Sequence, residues 1–130
     1  MTGSTAIPIV AVVEDDAPLR RAIGRLLRAG GFEPLLFESA EAYIEAAPRP
    51  RCLVLDVNLS GMSGLELQKS LRASGCETPV IVITAEHDPS IRERALQNGC
   101  IEFFLKPLDG NLLIDTIASL ADRGAEMKST

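Results

Sequence analysis

The chain has 130 residues, of which 46% are hydrophobic and 24% charged. This composition predicts one packed domain and excludes a disordered chain, two domains of ordinary size, and, because no apolar run approaches roughly 18 residues, a membrane-spanning helix. Lysine and arginine total 13 against 18 aspartate and glutamate residues, and the net charge of −5 opposes direct binding of nucleic acid by this domain.

The N-terminus and the cysteines suggest a protein of a reducing compartment. The first six residues lack the basic and apolar regions of a signal peptide, so we expect a cytoplasmic location. Cys52, Cys76 and Cys100 are odd in number and form no C-x-x-C pair, which argues against a disulfide framework or a zinc site. We expect them to be reduced, and either buried as small hydrophobic side chains or without a role.

Apolar blocks and helical segments alternate along the chain. Five blocks are suited to buried strands, the second being weaker than the others: residues 9–13, 34–37, 52–55, 80–83 and 101–105. Each is followed by a segment of helical periodicity that begins after a residue able to cap a helix, namely Asp16, Ser39, Ser63, Asp88 and Asp109. Stop signals follow the first, second and fourth of these segments, at Gly30-Gly31, Pro48 and Asn98-Gly99.

This order predicts the fold class. Strands joined by crossover helices pair in parallel, and helices on both faces cover their apolar residues. We therefore expect an α/β domain with a five-stranded parallel sheet, doubly wound as (β/α)5, over the whole chain with a core from about residue 7 to 120. Residues 123–130 are predicted to form a frayed polar tail.

Polar residues follow the predicted strands, where ligands bind in such sheets. They are Glu14 and Asp15 after the first strand, Asp56 at the end of the third, Thr84 at the end of the fourth and Lys106 after the fifth. Carboxylates about 5 Å apart repel by about 3 kcal/mol at an effective dielectric constant near 20, so a cation must neutralise them. Mg²⁺ is suited to this role because it prefers oxygen ligands.

A carboxylate, a cation, a lysine and a hydroxyl together form a site that accepts a phosphoryl group. Asp56 ends the central strand of the expected order and is the predicted nucleophile. Asp16 is better explained as a helix cap, and the single histidine, His87, as a loop residue. The sequence offers no suitably placed histidine for a Ser-His-Asp arrangement, which argues against a hydrolase of that kind, and no G-x-G-x-x-G or Walker motif supports nucleotide binding.

These residues resemble the receiver domain of two-component response regulators. The resemblance extends from about residue 7 to 120 and rests on four motifs in the order and spacing of that family: Val12-Val13-Glu14-Asp15-Asp16, Leu55-Asp56-Val57-Asn58-Leu59 with Gly61-Met62-Ser63-Gly64, Ile83-Thr84-Ala85, and Lys106-Pro107. It implies a flavodoxin-like fold and Mg²⁺-dependent, self-catalysed phosphotransfer and dephosphorylation, in contrast to a conventional enzyme. Its implied partners are a histidine kinase or phosphotransfer protein, a downstream target or output domain, and a second copy of the chain on phosphorylation.

The resemblance also implies roles for single residues. Asp56 is similar to the aspartate that receives the phosphoryl group, and Thr84 and Lys106 to the pair that hold its oxygens. The implied metal site is formed by Asp56, by Asp15 as a direct ligand, by Glu14 through water, and by the backbone carbonyl of Asn58. Phe103 lies at the family's switch position, and Lys106-Pro107 resembles its cis-peptide junction.

Three departures from the family pattern have expected consequences. Glu14 replaces the commoner aspartate, which lengthens one side chain of the metal site. Ser60 stands where many members have proline, so we expect a less restrained loop after Asp56. Phe103 replaces the frequent tyrosine, so the switch should depend on ring packing without a hydroxyl.

Two other functions, a phosphatase and a flavin-binding electron carrier, fit the sequence less well. A haloacid-dehalogenase-like phosphatase also phosphorylates an aspartate, but it needs an acid where this chain has Asn58. A flavin-binding electron carrier would need a phosphate loop and aromatic residues that the sequence lacks. The chain is therefore either a stand-alone receiver or the receiver half of a DNA-binding transcriptional regulator, and the sequence leaves both open.

Overall fold

The computed structural model describes residues 7–129, with side chains described through residue 120. Strands and helices alternate in the predicted order. The strands are β1 (Ile9–Val13), β2 (Glu33–Phe37), β3 (Cys52–Asp56), β4 (Val80–Thr84) and β5 (Glu102–Leu105). The helices are α1 (Ala17–Ala29), α2 (Ala40–Ala46), α3 (Gly64–Ala73), α4 (Pro89–Gln97) and α5 (Gly110–Ser129).

The five strands form one parallel sheet in the order β2-β1-β3-β4-β5. Side chains of α1 and α5 pack on one face of the sheet, and those of α2, α3 and α4 pack on the other. This is the doubly wound, flavodoxin-like arrangement that the sequence predicts. Because β3 is central, its carboxyl end lies between the ends of β1 and β4.

Local capping sets where the helices begin. The predicted residues Asp16, Ser39, Ser63 and Asp88 are the N-caps of the first four helices, and Ser63 forms a reciprocal capping box with Glu66. In α5, the backbone N–H of Leu112 donates to Asp109 Oδ1 at 3.1 Å. These short-range bonds satisfy amide groups that the first turn of a helix leaves unpaired, which explains why the helix starts were predictable.

Two predictions at the C-terminal end of the chain are wrong. The fifth apolar block was expected to be a buried strand, but Ile101 and Leu105 are each 41% exposed. The reason is topological, since β5 is an edge strand that pairs only with β4. Residues 123–129, expected as a frayed tail, continue α5 to Ser129.

The cysteines agree with the sequence analysis. Cys52 and Cys100 are buried, Cys76 is exposed, and all three are free thiols. Burial raises the pKa of the Cys52 thiol to about 12, so it behaves as an apolar core residue. Within residues 7–129, no helix combines the length and the apolar character needed to cross a membrane.

Candidate functional site

The carboxyl ends of β1 and β3 bring three carboxylates together. The two strands pair in parallel with Val13 opposite Leu55, so the residues that follow each of them project from the same edge of the sheet. Oxygen atoms of Glu14, Asp15 and Asp56 all lie within 4.8 Å of one another. Glu14 is fully buried and Asp56 is 2% exposed, whereas Asp15 is exposed. The site is thus an acidic pocket with a buried floor and one carboxylate at its rim.

Lys106 supplies positive charge to this acidic pocket. Its Nζ lies 2.9 Å from Glu14 Oε1 and 3.2 Å from Asp56 Oδ2. The backbone N–H of Lys106 donates to the carbonyl of Thr84 at 2.8 Å, which ties the end of β5 to the end of β4. The Lys106-Pro107 peptide bond is cis, as the family resemblance implies.

The pocket shifts the protonation equilibria of its members. Burial, together with a hydrogen bond and charge repulsion from Glu14, raises the pKa of Asp56 to about 7, although Lys106 opposes the shift. Burial lowers the pKa of Lys106, but contacts with Glu14 and Asp56 outweigh it and raise the pKa overall. One cation, Lys106, therefore faces two buried carboxylates, and this charge balance favours binding of a further positive charge.

Thr84 and Asn58 follow or end strands next to the acidic pocket, and neither side chain forms a hydrogen bond with Asp56 in the structure. The Thr84 side chain is fully buried, and its Oγ1 accepts a hydrogen bond from the backbone N–H of Glu86 at 3.1 Å. Asn58 is exposed and donates its backbone N–H to Asp56 Oδ1 at 3.3 Å. Asp16, interpreted from the sequence as a cap, accepts from the Leu19 N–H at 3.0 Å and is not a member of the carboxylate cluster.

Three further residues hold the site, and the sequence analysis did not identify these contacts. Arg20 of α1 donates to the backbone carbonyl of Glu14 at 2.9 Å. Ser60 donates its backbone N–H to Asp15 Oδ2 at 3.2 Å, and Glu41 of α2 accepts the N–H of Met62 at 2.8 Å. The loop after Asp56, expected to be less restrained, is thus tethered at two points. No sequence signal indicates these pairs, because Ser60 is 45 positions from Asp15 and Met62 is 21 positions from Glu41.

Phe103 lies on β5, which is separated from β3 by β4. It is half-buried against the core on the α4 side of the sheet, and the Arg92 guanidinium of α4 lies 5.9 Å from its ring centroid. This distance is within the range of a cation–π interaction. A cavity of about 360 Å³ adjoins the ring and is lined by the loop before α4 and by β5.

The donor set of the acidic pocket suits a hard divalent cation. All of its side-chain ligands are carboxylate oxygens, which Mg²⁺ prefers. Glu14 Oε1 is buried and accepts no hydrogen bond from the described residues, and its contact with Lys106 is an ion pair without hydrogen-bond geometry. Among the described residues, Lys106 alone forms ion pairs with Glu14 and Asp56, and a metal ion would neutralise the negative charge that this pairing leaves in the pocket.

Known proteins of one family are similar to this chain. A family model for the response regulator receiver domain matches residues 10–118. Nodulation protein W of Bradyrhizobium diazoefficiens is 36% identical over 124 residues, which cover 94% of this chain and 55% of that protein. Transcriptional regulatory protein FixJ of the same organism is 34% identical over 119 residues, covering 90% and 58%. The chain thus spans slightly more than half the length of these curated relatives.

Solved structures agree with these relatives. The response regulator StyR has a TM-score of 0.84 at 39% identity, covering 95% of this chain and 64% of that chain. The chemotaxis response regulator CheY4 of Vibrio cholerae has a TM-score of 0.80 at 23% identity, covering 88% and 99%, which supports the fold alone.

Proposed function

Because this chain belongs to the response regulator receiver domains of two-component signalling, we propose that its Asp56 accepts a phosphoryl group from a histidine kinase or phosphotransfer protein. One observation carries the proposal. Asp56 is a buried carboxylate at the carboxyl end of the central strand, 3.2 Å from Lys106 Nζ and within 4.8 Å of Glu14 and Asp15 oxygens. This places a nucleophile, a fixed cation and two further acids in one pocket open at its rim.

The proposed reaction is a transfer between two side chains. An ionised Asp56 oxygen attacks the phosphorus of a phosphohistidine, the phosphorus–nitrogen bond breaks, and the histidine leaves with the bonding pair and takes a proton. The product is an aspartyl phosphate. Lys106 stabilises the negative charge that spreads over the phosphoryl oxygens, and Thr84, whose Oγ1 accepts from Glu86, retains its own proton to donate to one of them.

We propose that the acidic pocket binds Mg²⁺ through Asp15 and Asp56, with Glu14 acting through water and Asn58 through its backbone carbonyl. The all-carboxylate cluster supports this set, because Lys106 is the only residue in the described part of the chain that forms ion pairs with its two buried members, Glu14 and Asp56. The ion would neutralise the carboxylates and the incoming phosphoryl oxygens. This chain's part is to orient Asp56, which the backbone N–H of Asn58 supports by donating to Oδ1, while Lys106 favours the ionised form of Asp56.

The proposed output runs from Thr84 to β5. When Thr84 moves toward the phosphoryl group, the space beside it admits the Phe103 ring, and the α4–β5–α5 surface changes shape for a protein target, an output domain or a second copy of the chain. One relative, FixJ, is named as a transcriptional regulatory protein, and this chain covers 58% of its length. Both facts support coupling to a DNA-binding output domain, with a stand-alone receiver as the alternative.

Phosphorylation with a small donor tests the proposal. The full chain is incubated with acetyl phosphate or phosphoramidate and MgCl₂, and intact-mass and peptide mass spectrometry follow the label. We expect one phosphoryl group on Asp56, loss of the label in EDTA, and loss in Asp56→Asn. The control Asp16→Asn keeps a good helix cap and should be labelled normally.

Label that persists unchanged in Asp56→Asn would refute Asp56 as the acceptor. Steady hydrolysis of added phosphate monoesters by the wild type would favour the phosphatase alternative instead.

A further inference from the structure

The loop between β3 and α3 is attached to the rest of the molecule by two carboxylates from other elements. Asp15, after β1, accepts hydrogen bonds from Ser60, and Glu41, in α2, accepts one from the backbone N–H of Met62. Glu41 also closes over Gly61, where a Cβ atom would lie only 2.6 Å from Glu41 Oε2. The two anchors lie on either side of Gly61, whose φ of +78° marks the turn of the loop.

The two anchors differ in what they hold besides the loop. Ser60 directs two donors at one atom, since its backbone N–H lies 3.2 Å and its Oγ 3.5 Å from Asp15 Oδ2. Asp15 is exposed and has no ion pair among the described residues, so these bonds are what limits rotation of its carboxylate. They use one oxygen and leave the other free. Glu41 is not a member of the carboxylate cluster found among the described residues.

We propose that Ser60 is a positioning residue that orients the Asp15 carboxylate for the cation of the acidic pocket, a role that rests on the proposed function. A partner that holds a metal-ligating carboxylate in place typically changes metal affinity by about 10- to 100-fold when it is removed. Proline at position 60 could not fill this role because it lacks the backbone N–H. Compared with proline, Ser60 leaves the loop backbone less stiff but provides a hydrogen bond from the loop to Asp15.

Hydrogen exchange in the metal-free protein tests the contact itself. In EDTA, the Ser60 amide should exchange about 10-fold faster in Asp15→Ala than in the wild type, because its acceptor is gone. The Met62 amide, whose acceptor is Glu41, should exchange at its original rate. An unchanged Ser60 rate would overturn the proposal, and the result does not depend on whether the wild type binds Mg²⁺.

Calorimetric titration with MgCl₂ tests the positioning role. We expect Ser60→Pro to weaken binding about 10-fold, Ser60→Thr to retain wild-type affinity, and Ser60→Ala to lose a few-fold, since only the longer bond is removed. Glu41→Ala loosens the same loop without touching Asp15 and should weaken binding less than Ser60→Pro does. Circular dichroism checks that each variant is folded. If Ser60→Pro does not fold, Ser60→Ala and the exchange experiment test the positioning role instead.

Equal losses of affinity in Glu41→Ala and Ser60→Pro would overturn the proposal, because loop stiffness alone would then explain both. Unchanged affinity in Ser60→Pro would do the same. Failure of the wild type to bind Mg²⁺ would refute the proposed metal site and with it the positioning role, even where the exchange experiment confirms the contact.

Discussion

In the metal-free protein, ionisation of Asp56 lowers the stability of the folded state. Its pKa is raised to about 7 from an ordinary value of 3.8, mainly by burial and by Glu14. The folded state therefore retains a proton on Asp56 up to a higher pH than the unfolded state does. Between about pH 4 and pH 7 the unfolded chain binds fewer protons, so the contribution of Asp56 to stability falls as the pH rises.

We predict that Asp56→Asn raises the free energy of unfolding relative to the wild type at pH 8 in EDTA and that this advantage shrinks as the pH falls to 4. A pKa unit corresponds to about 1.4 kcal/mol, so the advantage should change by up to about 4 kcal/mol over this range. Urea unfolding at several pH values measures it. The control Asp15→Asn removes an exposed carboxylate of the same cluster and should change less. An advantage independent of pH would contradict the prediction.

The start of α3 packs closely against the end of β3, where Asp56 lies. Gly64 is the first residue of the helix, and its backbone N–H donates to the carbonyl of Val57 at 2.9 Å. A Cβ atom at position 64 would lie 2.0 Å from the backbone oxygen of Asp56 and 2.9 Å from Cα of Val57. Backbone atoms cannot move aside as a flexible side chain can. Only glycine lets the helix approach the end of β3 this closely.

We predict that Gly64→Ala destabilises the protein by about 3 kcal/mol, because α3 must withdraw from β3. Gly24→Ala is the matched control. Its Cβ would meet the side chain of Leu36 at 3.0 Å, and Leu36 is 40% exposed and able to move. Alanine also gains about 1 kcal/mol of helix propensity over glycine, so this variant should remain within about 1 kcal/mol of the wild type.

Thermal and urea unfolding of both glycine variants provide the measurement. Wild-type stability in Gly64→Ala would mean that the close approach of α3 to β3 is not required.

Across the whole molecule, the acidic pocket and the proposed output surface are joined by a short path. The Thr84 carbonyl accepts the N–H of Lys106 at 2.8 Å, and Phe103 lies on β5, the strand that precedes Lys106. Arg92 of α4 lies over the Phe103 ring. Because β5 is an edge strand and half-exposed, it can change its packing at less cost than the central strands can.

We predict that Mg²⁺ with beryllofluoride, which mimics a phosphoryl group, changes amide hydrogen exchange within residues 86–108. The mimic binds one packing of the switch better and shifts the equilibrium toward it. Exchange measured by mass spectrometry with and without the mimic checks this, and Asp56→Asn should show no change. Protection changes confined to α1 and α2 would place the output surface elsewhere.

The order of the elements, the caps of the helices and the residues at the strand ends could be predicted from the sequence. These depend on short-range patterns, such as Ser63 with Glu66 or the apolar run before Asp56, which are legible without knowing what packs against them. The carboxyl ends of parallel strands lie at one edge of a sheet, so it could be predicted that Glu14, Asp56 and Lys106 lie near one another. The strand order was implied only by the family resemblance.

Which atoms meet, and how deeply they are buried, depends on the packing of the folded chain and could not be predicted. The exposure of β5 depends on its place at the edge of the sheet, and the raised pKa of Asp56 depends on Glu14 beside it in a buried pocket. The tether from Ser60 to Asp15 joins residues 45 positions apart. From the sequence, serine at position 60 indicated only a loop without proline's stiffness. Its N–H acquired a role once the fold placed a carboxylate oxygen within hydrogen-bonding distance.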